Sequence, residues 1–255
     1  MVKLALLSLE MRISMKKALI IMALTSSSLM ATSAYGQDDA SGAKWSGTGQ
    51  LGFSMTSGNS DTENLTGGLA LRRESEKWIS DASIDLLRAS SNGVDTAERF
   101  TINTKTGYKF DDNDYVYYAS RYDNDNFSGF DYTMSTSVGW GHKFFDSEKS
   151  RLITELGAGY KTEALDIDRS ENNGAILSGK LDYMKQVTDT ITFENFLLVE
   201  AGDDNTFVQN DAGFTFKVSD KFGVKLAHQL RHNTDAPAGR DSTDTLVSVN
   251  LVYDF

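Results

Sequence analysis

Residues 243–255 read TDTLVSVNLVYDF, and Thr245, Val247, Val249, Leu251, Tyr253 and Phe255 fall on one side of a two-residue alternation. A period of two belongs to an extended strand, whose successive side chains point to opposite faces. Upstream the same period recurs. Trp45, Gly47, Gly49, Leu51, Phe53 and Met55 alternate with Ser46, Thr48, Gln50, Ser54 and Thr56. Leu65, Gly67, Leu69 and Leu71 oppose Asn64, Thr66 and Arg72, and Trp78, Ala82, Ile84 and Leu86 oppose Asp81, Ser83 and Asp85. Phe100, Ile102, Tyr108 and Phe110 then alternate with Arg99, Asn103, Lys105 and Lys109, and later segments repeat the pattern to the end.

These segments run about 10–14 residues, longer than the five or six typical of globular strands and enough for a tilted strand to cross a bilayer. Their connections alternate. Glu74–Lys77, Asp111–Asp114, Asp146–Ser150, Thr188–Asp189 and Ser219–Lys221 are short. Gly58–Glu63, Ser91–Glu98, Asp123–Gly129, Asp166–Gly174, Gly202–Asn205 and Asn233–Ser242 read as longer, polar loops. Short turns on one side and longer loops on the other predict an all-β, transmembrane antiparallel up-and-down β-barrel of about twelve strands, with both termini on the turn side. Trp78, Tyr108, Phe110, Phe144, Phe222, Tyr253 and Phe255 lie beside the short turns, where an interfacial girdle belongs.

Composition agrees. The 255 residues include no cysteine, which excludes disulfides and thiolate metal sites, and a single proline, Pro237, in a polar loop. No stretch beyond the N-terminus is apolar enough for a membrane helix. Lys16 and Lys17, the apolar run Ala18 to Leu24 and the small residues Ser26 to Gly36 read as a secretory signal starting at Met15 and cleaved between Gly36 and Gln37. The chain then divides into a signal (1–36), a short periplasmic segment (37–43) and the barrel (44–255). Loss of residues 1–36 leaves 21 basic and 35 acidic residues, a net charge of −14, which excludes a nucleic-acid partner.

Gly58-Asn59-Ser60-Asp61-Thr62, the Tyr118–Gly141 block with Asp125, Phe127, Ser128, Gly129, Gly139 and Gly141, Leu156-Gly157-Ala158-Gly159-Tyr160, and the run from Asp244 to Phe255 together resemble the salt-induced outer-membrane protein family. The resemblance spans about Trp45 to Phe255. It implies a porin-like barrel in the Gram-negative outer membrane and supplies no site residues. It also implies outer-membrane lipid and lipopolysaccharide as surroundings, and the barrel-assembly machinery and periplasmic chaperones as partners. Val247, Val249, Leu251, Tyr253 and Phe255 would then be the assembly signal.

Catalytic, cofactor and metal motifs are weak. Gly47-Thr48-Gly49-Gln50-Leu51-Gly52 matches a dinucleotide fingerprint but lies within a strand instead of before a helix. His142, His228 and His232 lack the His–Ser spacing of outer-membrane phospholipases; Thr234 follows His232 at that spacing but in a loop, so the histidines read as girdle residues. Asp123-Asn124-Asp125-Asn126 begins like a calcium loop, but Phe127 stands where an oxygen ligand is needed. What remains is the inward face. The bases Arg72, Arg99, Lys105, Lys109, Arg121, Lys143, Lys161, Lys180, Lys217, Lys225 and Arg231 face the acids Asp81, Asp85, Asp131, Glu155, Asp182, Glu194, Glu200, Asp211 and Asp244. The expected function is a narrow channel for small polar solutes or ions, with Glu155 hydrated. The alternatives are a non-conducting structural or salt-stress envelope protein and, distantly, a lipid-modifying enzyme. Intact-mass measurement on the envelope fraction should show a chain beginning at Gln37; retention of residues 1–36 would refute the signal reading.

Overall fold

A computed structural model describes residues 43–56, 62–92, 94–126 and 128–255. The signal segment with its Gly36–Gln37 junction, residues 57–61 and Phe127 lie outside the described residues, as do the side chains of residues 54–56 and 62. The strands are β1 (Lys44–Thr56), β2 (Thr62–Glu74), β3 (Trp78–Ser91), β4 (Val94–Lys109), β5 (Asp114–Asp125) and β6 (Phe130–Asp146). They continue as β7 (Ser150–Leu165), β8 (Glu171–Thr188), β9 (Ile191–Gly202), β10 (Thr206–Lys217), β11 (Phe222–Asn233) and β12 (Thr243–Asp254). Each pairs with its sequence neighbours, and β1 also pairs antiparallel with β12, closing a twelve-stranded barrel.

The short turns fall where the sequence puts them, but several loops are shorter than expected. Ser91–Glu98 is not a loop: β3 reaches Ser91, β4 starts at Val94, and a bulge after Ala89 absorbs the odd residue. Arg88 pairs with Asp95 at 3.2 Å across this extension. β8 likewise begins at Glu171, so the connection 166–170 is compact. Polar residues here continue the ladder beyond the membrane because water solvates both of their faces.

Leu51, Leu86, Val138, Leu156, Leu177, Val247 and Val249 project outward, each more than half exposed. A soluble protein would not display such a belt; lipid accounts for it. At the turn end Trp78 meets Tyr108 edge-on at 5.2 Å, and Phe222 lies 4.9 Å from Tyr253. Toward the loop end Tyr122 stacks on Tyr132 at 6.0 Å, giving the belt an aromatic rim on both sides.

The barrel closes through its glycines. Gly47 N–H donates to Phe255 O at 2.8 Å and Phe255 N–H to Gly47 O at 2.9 Å, and the Phe255 ring lies where a Gly47 side chain would be. Over Gly52, Thr66 Oγ1 donates to Asn250 Oδ1 at 2.7 Å, linking β2 to β12 across β1. The GxGxxG match is therefore part of the seam, not a nucleotide site.

Leu156, 63% exposed in the middle of β7, tests the face assignment. Leu156→Arg should lower stability by about 2–4 kcal/mol, since a midplane charge lacks solvent and partners. Urea unfolding in lipid measures it, and a neutral result would reverse the assignment for this strand.

Candidate functional site

Alternation sends the charged residues into the lumen, where they sort into layers. Near the turn end, Glu74 on β2 accepts Lys109 Nζ at 2.9 Å and Lys143 Nζ at 3.0 Å, with Arg72 Nη2 also at 3.0 Å. Higher up, Glu155 on β7 is 3% exposed. It accepts Lys105 Nζ and the Tyr115 hydroxyl, each at 2.5 Å, and lies 3.5 Å from Lys180 Nζ. Lys105 also meets Asp81 at 3.0 Å, and Arg151 meets Asp182 at 3.1 Å.

The loop-end layer crosses the barrel. Arg121 on β5 donates to Asp123 and, at 3.0 Å, to Glu200 on β9. Arg231 on β11 donates to Asp123 and, at 3.1 Å, to Asp125. Arg99 reaches Gln229 on the far wall. Phe207 lies between two guanidiniums, 4.4 Å from Arg121 and 5.0 Å from Arg231. Above them Lys161 pairs with Glu163 at 2.8 Å and donates to the Asn205 carbonyl at 3.1 Å. Loops fold over this end: Asp166 N–H donates to Gly129 O at 3.0 Å, and Pro237 and Arg240 pack on Gly129, whose φ of +86° glycine tolerates.

Two spaces remain. A cavity of about 400 Å³ runs along Thr48, Ser83, Asn103, Tyr117, Ser137 and Ser178. The loop-end layer holds about 20 Å³ between Arg121, Asp123, Phe130, Phe207 and Arg231. The first admits a small solute. The second holds about one water, so the lumen is narrow there.

Tyr115 and Tyr117 reach across the inner wall over glycines. Tyr115 is in register with Gly141 on β6, and Gly141 with Glu155 on β7. A Cβ at Gly141 would occupy the Tyr115 ring, and one at Gly139 or Gly157 would strike the Tyr117 hydroxyl. Gly141 thus clears a path for the buried Tyr115 to Glu155, and Gly139 and Gly157 make room for Tyr117.

The family model described as protein of unknown function, DUF481, matches residues 49–255. The chain belongs to this family. No curated protein matches its sequence. Among solved structures it is similar to the translocator domain of autotransporter NalP from Neisseria meningitidis, at 9% identity and a TM-score of 0.47, covering 96% of this chain and 97% of that one. It is similar to NanC porin at 10% identity, a TM-score of 0.46 and coverages of 82% and 97%. An outer-membrane channel from Pseudomonas putida F1 shows 13% identity, a TM-score of 0.46 and coverages of 82% and 94%.

In this DUF481 chain the lumen candidates face inward. Arg72, Asp81, Lys105, Arg121, Glu155, Lys180 and Asp182 line the cavity; Arg99, Lys161 and Arg231 stand in or above the loop-end layer. Asp85 sits beside Gln50, and Glu194 accepts Lys225 at 2.7 Å in a more open position. Asp131 is a correction. A register shift between Phe130 and Tyr132 puts Phe130 inside, and Asp131 at the rim lies 4.0 Å from Arg169. Asp123 and Asp125, the acids of the calcium-like stretch, both point into the lumen and accept Arg231. His232 Nδ1 lies 2.8 Å from Thr243 Oγ1, whereas Thr234 bonds the Thr206 N–H. Glu155, expected to be hydrated, is buried at the cavity wall with three donors around its carboxylate.

Glu155→Gln deprives Lys105 and Lys180 of their shared carboxylate and should cost about 3–5 kcal/mol if that part of the lumen excludes water. Glu194→Gln, in a partly solvated pair, should cost about 0–1 kcal/mol. Paired urea titrations of the folded barrel measure both, and equal costs would show the mid-lumen to be wet.

Proposed function

We propose that this outer-membrane barrel forms a narrow passage for small polar solutes or ions, held shut at its loop end by the Arg121–Glu200 and Arg231–Asp123 pairs. One observation carries the reading: a cavity of about 400 Å³, lined mostly by polar and charged residues, lies beneath a layer of charges instead of an apolar plug. Well-packed apolar side chains fill an interior at least as stably as buried ion pairs do. Retained charges are better explained by a closure that can be undone. On this reading the described state is the closed one. Export with loss of residues 1–36 would leave both termini of the barrel chain on the periplasmic side.

The alternative is a non-conducting envelope protein, consistent with the salt-stress role that the family resemblance implies. The tightness of the loop-end layer favours it. Planar-bilayer recording separates the two. The wild-type barrel should open rarely. Asp123→Ala combined with Glu200→Ala should raise the open fraction about tenfold or more, because Arg121 loses both its carboxylates, Arg231 keeps only Asp125, and each tenfold needs only about 1.4 kcal/mol. Silence from both proteins, folded and inserted, would leave the structural reading standing.

A further inference from the structure

The charges that line the larger cavity divide by how far they reach the lumen. Lys105 and Arg121 keep no more than 10% of their side-chain surface and are matched by the equally buried Glu155 and Glu200. Arg72, Arg151, Lys180, Asp81 and Asp182 are each between 26% and 30% exposed. The buried set is neutral, whereas the exposed set holds three cations against two carboxylates. Both of those carboxylates already accept a base, Asp81 from Lys105 at 3.0 Å and Asp182 from Arg151 at 3.1 Å.

The surplus falls on Lys180. Arg72 donates to Glu74 at 3.0 Å and Arg151 to Asp182, but among the bases lining the cavity Lys180 alone makes no hydrogen bond. Its Nζ stands 3.5 Å from Glu155, whose other oxygen accepts Lys105 and Tyr115, and 5.4 Å from the centre of the Phe196 ring. An ammonium carries three N–H donors, and a charge partly withdrawn from water favours a counter-ion. The wall beside it is apolar: Lys180 is in register with Leu198 and Asp182 with Phe196, and both of these side chains line the cavity. A bare inorganic ion gains nothing from such a wall, but a carboxylate with a short hydrocarbon body does. The lining continues to Ser46 and Arg72, two residues from the turn-side ends of β1 and β2, so the cavity extends away from the loop-end pairs.

We propose that this cavity is a binding site for small organic monocarboxylates, held at the carboxylate by Lys180 and along the hydrocarbon by Phe196 and Leu198. One surplus cation suits one negative charge. The site deepens the passage reading and rests on it only in requiring that solute enter the lumen.

Butyrate is the probe. Saturation-transfer NMR titration of the refolded barrel in detergent reads the site without any current. Butyrate should bind, and butylammonium, of the same length and opposite charge, should bind about tenfold more weakly or worse, since a charge-assisted hydrogen bond is replaced by repulsion. Lys180→Gln should weaken butyrate about tenfold, while Lys180→Arg should keep most of the affinity. Glu155 retains Lys105 and Tyr115 in both variants, so both should fold, with heat-modifiable migration as the check. No butyrate binding, equal binding of the two probes, wild-type affinity in Lys180→Gln, or displacement of butyrate by an equal concentration of chloride would each overturn the proposal. A barrel that binds butyrate but never conducts loses the passage reading alone, and one that conducts without binding butyrate loses this site alone.

Discussion

The ladder must close on itself. Inside a bilayer no water reaches a free N–H or C=O, and each unmet group costs several kcal/mol, so a sheet survives there only without edges. Everything else follows from that requirement. It needs long strands and tolerates little proline. It also gives special weight to the meeting of first and last strands, where Gly47 and Phe255 exchange two backbone hydrogen bonds and the missing Gly47 side chain makes room for the phenylalanine ring.

Closure also creates an interior that has to be filled. Twelve strands enclose more room than a small barrel and less than a large porin, so side chains can nearly occlude the lumen without quite packing it. Here the filling is ionic. Glu74, Glu155 and Asp123 each gather two or more cations, which keeps the desolvation of each charge offset by several partners. Such clusters do little for net stability against an apolar alternative, but losing one member is severe. The lumen is thus specified by charge, and the small loop-end space is ringed by Arg121, Asp123, Asp125 and Arg231.

Much of this was legible in the sequence, for a physical reason. Alternation survives any error in strand ends, so the inward assignment of Arg72, Glu155 or Lys180 needed only parity. Strand ends and bulges were not legible. Polar residues such as Asp95 and Glu171 suit a solvated strand as well as a loop, and the bulge that exchanged Asp131 for Phe130 leaves no compositional trace. β5 was opaque for another reason: Tyr115, Val116, Tyr117 and Tyr118 are apolar on both faces, so period two disappears. The available signal was the glycine spacing on β6, since Gly139 and Gly141 answer Tyr117 and Tyr115 in register.

Where the barrel can yield follows from the same ladder. β10 and β11 are in register from Phe207 to Lys217, and most neighbours match over similar lengths. The β1–β12 register runs only from Thr48↔Asp254 to Gly52↔Asn250, extended by the Gly47–Phe255 pair. A wall so continuously paired cannot widen by sliding strands, since many hydrogen bonds would have to break together. Any opening of the loop-end layer must come from side chains that exchange partners, from the loops resting on Gly129, or from the lightly paired loop half of the seam. The first two leave the ladder intact, so the side chains of Arg121, Arg231 and their carboxylates, though buried, can exchange partners without breaking the wall's hydrogen bonds. A rigid wall with a rearrangeable charged layer is the mechanical arrangement that this pattern of hydrogen bonds permits.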